Sequence, residues 1–193
     1  MDSNIQAFLN TIGYSEGANY NTLYGGNTFA DYSTFPNVRV TLANGDTTSA
    51  AGKYQFEAAT WNGLQSSLSL PDFTPQSQDA AAIQLLKDNN AYDSIVNGDI
   101  VTAINNLGNI WASFPSSTEG QPGGKTLQQL TDYYTSQGGV IGGKTNKVID
   151  AFNATLQKYF NTTVTNQTFY VIAAETLIVI VALIFLIFKK NKK

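Results

Sequence analysis

Glu16, in the stretch TIGYSEGANY at residues 11–20, is one of four glutamates in the chain, with Glu57, Glu119 and Glu175. There is no histidine and no cysteine. Their absence excludes Ser-His-Asp and Cys-His catalysis, thiol nucleophiles, disulfides and the common zinc sites. Any acid–base chemistry therefore falls to Asp, Glu, Lys or Tyr. A glutamate at a helix end is ordinarily a solvated acid. It becomes useful as a general acid when apolar surroundings hold its carboxyl protonated near neutral pH. Ile12, Tyr14 and the glycines beside Glu16 offer such surroundings. No cofactor or metal motif accompanies it, and none is expected.

The elements that must position this acid follow from periodicity. Ile5, Phe8, Leu9 and Ile12 recur at helical spacing and predict a helix over residues 3–15, with Ser3 as cap and Gly13 and Gly17 at its end. Residues 19–50 are rich in Asn, Thr, Gly and Tyr. They predict a short strand at 38–42 and a turn at ANGD. From Gly52 onward the pattern is helical. Phe56, Trp61 and Leu64 mark one segment, and SQDAAAIQLLKDN a second, with Thr74 or Ser77 as cap and Pro75 just inside. DIVTAINNLGNIWASF follows, capped by Asp99, and TLQQLTDYYTSQGG ends at a glycine pair.

Charge and hydropathy divide the chain. Residues 1–167 hold seven basic and thirteen acidic side chains, a net of −6. An acidic body with no basic stripe excludes nucleic acid as a partner. Residues 169–188 form a run of 20 residues with a single charge, Glu175. At ~1.5 Å per residue such a run reaches about 30 Å, the thickness of a bilayer core. The expectation is a single transmembrane helix at 168–188, with the lipid bilayer as partner and a basic tail at 189–193. The positive-inside rule puts that tail on the cytoplasmic or particle-interior side. Glu175 then either snorkels to an interface or bonds a second membrane protein. MDSNIQAFLN has no basic n-region or apolar h-region, so no signal peptide is expected. The expected placement is a single-pass protein of a particle membrane or of a cell's inner membrane. Residues 144–167 read as a connector, a helix followed by a polar linker.

Five stretches then line up: AFLNTIGYSEGA, FADYSTFP, SAAGKYQFEAATW, LPDFTPQSQDAAAIQLL and GDIVTAINNLGNIWASFP. In order and at similar spacing they resemble bacteriophage lambda-type endolysins, over about residues 5–143. The resemblance implies an α+β fold. A mainly helical, lysozyme-like domain with a small β lobe would occupy residues 1–143. It implies that Glu16 is the single catalytic acid of a lytic transglycosylase. The substrate would be the glycan strand of peptidoglycan, cut at the β-1,4 link from N-acetylmuramic acid to N-acetylglucosamine, with a 1,6-anhydro product.

Further site residues follow by position. AAGKYQF resembles the segment lining the family's cleft, making Tyr54 and Gln55 substrate-side candidates. Gly52 would let backbone approach a sugar closely. Tyr32 is a further substrate-side candidate. Trp111 and Ser113 lie in the matching IWASFP, Trp111 being either a sugar platform or a core residue. Asp79, in SQD, reads as a structural or capping acid. One departure stands out: Glu119 occupies the place of a family tyrosine. It offers a second carboxylate, so the alternatives are a muramidase that adds water and a non-catalytic wall-binding protein on the same fold.

Overall fold

The computed structural model describes residues 1–118 and 124–142. Met1–Ile141 forms one compact unit. The first helix, α1, runs from Ser3 to Glu16. Asp2, rather than Ser3, caps it: its carboxylate accepts from the N–H groups of Asn4 at 2.8 Å and Ile5 at 3.2 Å. An anion suits that end because the unpaired N–H groups carry partial positive charge. Gly13 stays inside the helix, and Gly17 alone ends it at φ 63°. Glycine adopts that left-handed conformation without a Cβ penalty.

The β lobe is smaller than expected. β1, Val40–Thr41, pairs antiparallel with β2, Thr47–Thr48, in the register Val40↔Thr48 and Thr41↔Thr47. The turn forms as read, with the Leu42 carbonyl accepting from the Gly45 N–H at 3.0 Å. Residues 38–39 stay out of the sheet, consistent with the exposure of Val38. Isolated bridges Leu23↔Ala51 and Ala51↔Phe56 tie the surrounding loops together.

Among the described residues five helices follow: α2 (Ala58–Leu68), α3 (Pro75–Asp88), α4 (Tyr92–Val96), α5 (Ile100–Asn106) and α6 (Leu127–Ser136). Thr74 precedes α3 with Pro75 in its first turn, but the Thr74 side chain caps nothing. Asp72 instead gathers the Thr74 and Ser77 hydroxyls at 2.7 and 2.6 Å. Asp99 caps α5 as expected, accepting from Thr102 N–H at 3.2 Å. That helix stops at Asn106, and turns carry the chain on to Phe114. A reciprocal Thr126–Gln129 capping box opens α6.

The core has two aromatic foci. Phe8 of α1 meets Phe114 and Tyr134 edge to face, with centroids 6.2 and 6.4 Å apart. Under the β lobe, Trp61 meets Phe73 at 4.5 Å and Phe56 at 5.6 Å. Truncating a buried aromatic of this kind to Ala typically costs about 3–5 kcal/mol. These contacts fix α1 on one side and the β lobe on the other, and the site lies where they meet.

The expected membrane placement is corrected. Among the described residues, no helix is long and apolar enough to cross a membrane. The longest, α1 and α3, have 14 residues each. At ~1.5 Å per residue that is about 21 Å, well short of a ~30 Å hydrocarbon core. The segment 168–188, with Glu175 and the basic tail, lies outside the described residues, as do the connector and Glu119.

Candidate active site

Glu16 is the last residue of α1, and its position there works against ionisation. The C-terminal end of a helix carries partial negative charge, which disfavours a carboxylate. Burial raises the Glu16 pKa above its ordinary value of 4.5, and the hydrogen bond from Ser113 opposes that only in part. The Ser113 hydroxyl lies 2.5 Å from Glu16 Oε1. Ser113 is itself 3% exposed. Its carbonyl accepts from the Ser15 hydroxyl at 3.2 Å. The turns after α5 are thus latched to the end of α1 by two consecutive residues, Ser15 and Glu16.

Glu16 opens on a cavity of about 480 Å³ walled by the β lobe and the Ile110–Ala112 turn. Leu23, Thr48, Gln55, Glu57 and Trp111 also line it. Among the described residues, its only carboxyl groups are those of Glu16 and Glu57. The Glu57 carboxylate accepts from the Thr48 hydroxyl, and from the Ser49 N–H and hydroxyl at 2.9 and 2.6 Å. Burial pushes its pKa up, but the Ser49 and Thr48 hydrogen bonds outweigh this and hold it below 4.5. One carboxyl at the cavity therefore favours its proton and the other favours its charge. Among the described residues, no group of His, Cys, Asp or Glu is arranged to hold a metal ion.

The residues singled out from sequence separate into cavity walls and supports. Gln55 lines the cavity at φ 48°, with its amide donating to the Gly52 carbonyl at 2.8 Å. Trp111 touches the cavity but is 3% exposed, and its indole N–H donates to the Tyr54 carbonyl at 3.0 Å. It is chiefly a core residue with one edge at the cleft. Tyr54 is fully buried, and its hydroxyl donates to Asp79 at 2.5 Å. Gly52, at φ 79°, has its Cα against Gln78: an added Cβ would sit 2.3 Å from Gln78 Oε1. The close approach that requires glycine here is to protein, not to the cavity. Tyr32 meets Phe29 at 5.1 Å, and its carbonyl accepts from the Phe73 N–H at 2.8 Å. None of Tyr32, Gly52 and Tyr54 lines the cavity that holds Glu16.

Behind the cleft wall is a polar network. Asp79 accepts from both Tyr20, at 2.8 Å, and Tyr54, so it is a structural acid but caps no helix. Lys53 donates to Asn10 Oδ1 at 2.8 Å and to the Tyr20 hydroxyl at 3.2 Å. Burial lowers the Lys53 pKa, and the nearby Asp79 charge counters this. Sequence reading missed Glu57 and Lys53 as site features. A signal existed for Lys53, a lone cation within the otherwise uncharged run SAAGKYQF.

Comparison with known proteins agrees with this geometry. The family model described as Endolysin matches residues 6–141, ending well before the 168–188 segment. The endolysin of Escherichia phage lambda is 39% identical over 126 residues, covering 60% of this chain and 80% of that protein. The endolysin of Escherichia phage P2 is 35% identical over 156 residues, covering 71% of this chain and 94% of that protein. The solved structure of bacteriophage lambda lysozyme complexed with a chitohexasaccharide superposes with a TM-score of 0.70 at 34% identity. That match covers 73% of this chain and 97% of the other. The match spans the helical frame, the β lobe and the Glu16 cleft together, and the chain belongs to the endolysin family.

Proposed function

We propose that this chain cleaves the glycan strand of peptidoglycan as a lytic transglycosylase, with Glu16 as its single acid and base. The observation that carries the reading is the desolvated Glu16 carboxyl, bonded by Ser113 and facing a cavity of about 480 Å³. Glu16 begins protonated. It gives its proton to the bridging oxygen as the bond from the muramoyl C1 to that oxygen breaks, and N-acetylglucosamine leaves with a hydroxyl. The Glu16 carboxylate then takes the proton of the muramoyl C6 hydroxyl. That oxygen closes on C1 to form the 1,6-anhydro ring, and Glu16 is again protonated. No water enters and no second catalytic carboxyl is needed.

Ser113 acts as a positioning residue that fixes the Glu16 carboxyl. Gln55 and the exposed edge of Trp111 contact the strand. Gly52, Tyr54 and Tyr32 support the cleft wall from behind. The test is release of soluble material from purified sacculi by the wild-type chain, with Glu16→Gln as the inert control. Loss of a positioned general acid is expected to cost about 10²–10⁴-fold. Equal release by a folded Glu16→Gln chain would contradict the assignment.

A second reading, hydrolysis as in a muramidase, is favoured by one observation: ionised Glu57 lines the same cavity as Glu16. Two carboxyls with opposed pKa shifts are the usual arrangement for adding water. Against it, both Glu57 oxygens already accept hydrogen bonds from Thr48 and Ser49.

A further inference from the structure

Lys53 has no part in the cleavage proposed above, yet among the described residues it is the one cation lining a second cavity. That cavity measures about 380 Å³ and lies along α1, walled by Asn10, Tyr14, Asn19, Tyr133 and Gln137 among others. Among the described residues no acidic side chain lines it. Gly17, next to Glu16, borders both this cavity and the catalytic one. The two therefore share a wall residue at the end of α1.

The floor is built for a cation. Gly13 has no side chain, and a Cβ there would sit 2.9 Å from Lys53 Cγ. That gap lets the lysine stem lie across α1, and Lys53 is only 8% exposed. An ammonium has three N–H donors. Two are spent on Asn10 and Tyr20. The Tyr20 ring, 4.7 Å away, supports the charge further. One donor remains. On the walls, Gln137 uses only its Oε1, as acceptor from Asn10 at 3.1 Å, which leaves its amide N–H groups available. The Tyr14 and Tyr133 rings stack at 4.1 Å and give a flat apolar side. Lys125 stands over the Tyr14 ring at 5.0 Å, adding a second positive charge nearby.

A largely desolvated ammonium with a spare donor, amide donors beside it and no lining acid is complementary to a carboxylate. The Asp79 charge reaches Lys53 only from behind the wall, where its carboxylate is engaged by the Tyr20 and Tyr54 hydroxyls, so the spare ammonium donor has no acidic partner of its own. We propose that this cavity is a carboxylate subsite for the acidic peptide stem carried by the glycan strand in the cleft. The proposal rests on peptidoglycan being the substrate. The muramoyl residue next to the cut bond bears the stem, and the cavity adjoins the cleft at the residue following Glu16. The subsite would favour strands that still carry their peptides over stripped glycan.

The experiment is calorimetric titration of the full chain carrying Glu16→Gln with the free stem tetrapeptide, L-Ala-γ-D-Glu-diaminopimelate-D-Ala. The same peptide with its carboxyls amidated is the control. The acidic form is expected to bind, and the amidated form to bind about tenfold more weakly or worse. Gln137→Glu, at an exposed position, puts a like charge at the cavity and is expected to weaken the acidic peptide by at least about tenfold. Lys53→Met is expected to do the same. Gln137→Glu keeps the test decisive if Lys53→Met fails to fold. No binding, equal binding of the two peptides, or indifference to Gln137→Glu would overturn the subsite. Cleavage of sacculi without stem binding would sink the subsite alone. Stem binding by a chain whose wild type releases nothing would sink the cleavage reading alone.

Discussion

The Ser113 hydroxyl lies 2.5 Å from Glu16 Oε1, across 97 positions of sequence. It joins the end of α1 to the turns that follow α5, and it is the contact that orients the acid. Ser113 also opposes the burial that raises the Glu16 pKa. Ser113→Ala is therefore expected to separate orientation from acidity. Activity should fall roughly tenfold, the worth of one hydrogen bond to an ionisable group. The alkaline limb of the pH–rate profile should move to higher pH, because the effect that lowered the Glu16 pKa is gone. A limb that moves to lower pH would contradict this account of Ser113.

Glu16 also predicts a stability trade. Its folded pKa lies above 4.5, with burial as the leading cause. A raised folded pKa contributes stability that is complete below the unfolded value and is lost as pH rises through the folded one. Glu16→Gln has no such loss. Chemical denaturation should find the variant more stable than wild type at about pH 8, with the difference narrowing toward about pH 4. A constant difference across that range would mean that Glu16 is not desolvated.

Glu57 has the opposite sign. Its folded pKa lies below 4.5 because Ser49 and Thr48 hydrogen bonds outweigh burial. Its contribution is present above the unfolded value and lost as pH falls through the folded one. Glu57→Gln should therefore be less stable than wild type at neutral pH, and the gap should close in acid. Glu57 ties Thr48 and Ser49 to the start of α2. Untying that cleft wall should raise KM more than it lowers kcat. A fall confined to kcat would point instead to Glu57 acting in the chemistry.

Gly52 tests the back of the cleft. Gly52→Ala meets a positive φ and places a methyl 2.3 Å from Gln78 Oε1. The expected loss of stability is about 1–3 kcal/mol for the backbone alone, read by thermal or urea unfolding. A neutral Gly52→Ala would show that Gln78 moves freely, and that the wall is softer than its hydrogen bonds suggest.

Legibility in the sequence tracked how local each feature was. The first helix was plain because Ile5, Phe8, Leu9 and Ile12 repeat within one segment, and its end was visible in Gly17. The acid was singled out by the SEG stretch that resembles lambda-type endolysins; the absence of histidine and cysteine only restricts the chemistry to Asp, Glu, Lys or Tyr. Helix α4, five residues long, has too few turns to show a period. The Tyr54–Asp79 and Lys53–Tyr20 contacts join positions 25 and 33 apart, and side-chain pairing at such separations leaves no local pattern. Gly52 is expected from sequence to let backbone approach a sugar, and what packs against it in the fold is Gln78. The membrane placement rested entirely on residues beyond those described, and no helix of the described residues supports it.

The central claim is that Glu16 alone serves as acid and base, so that the muramoyl C6 hydroxyl, not water, closes the reaction. Mass spectrometry of the muropeptides released from purified sacculi tests it most directly. The account predicts anhydro-muramoyl ends, lighter by one water than reducing ends, from the wild type and none from Glu16→Gln. Reducing ends from the wild type would contradict it. They would make the chain a muramidase, with Glu57 as the carboxylate that directs water.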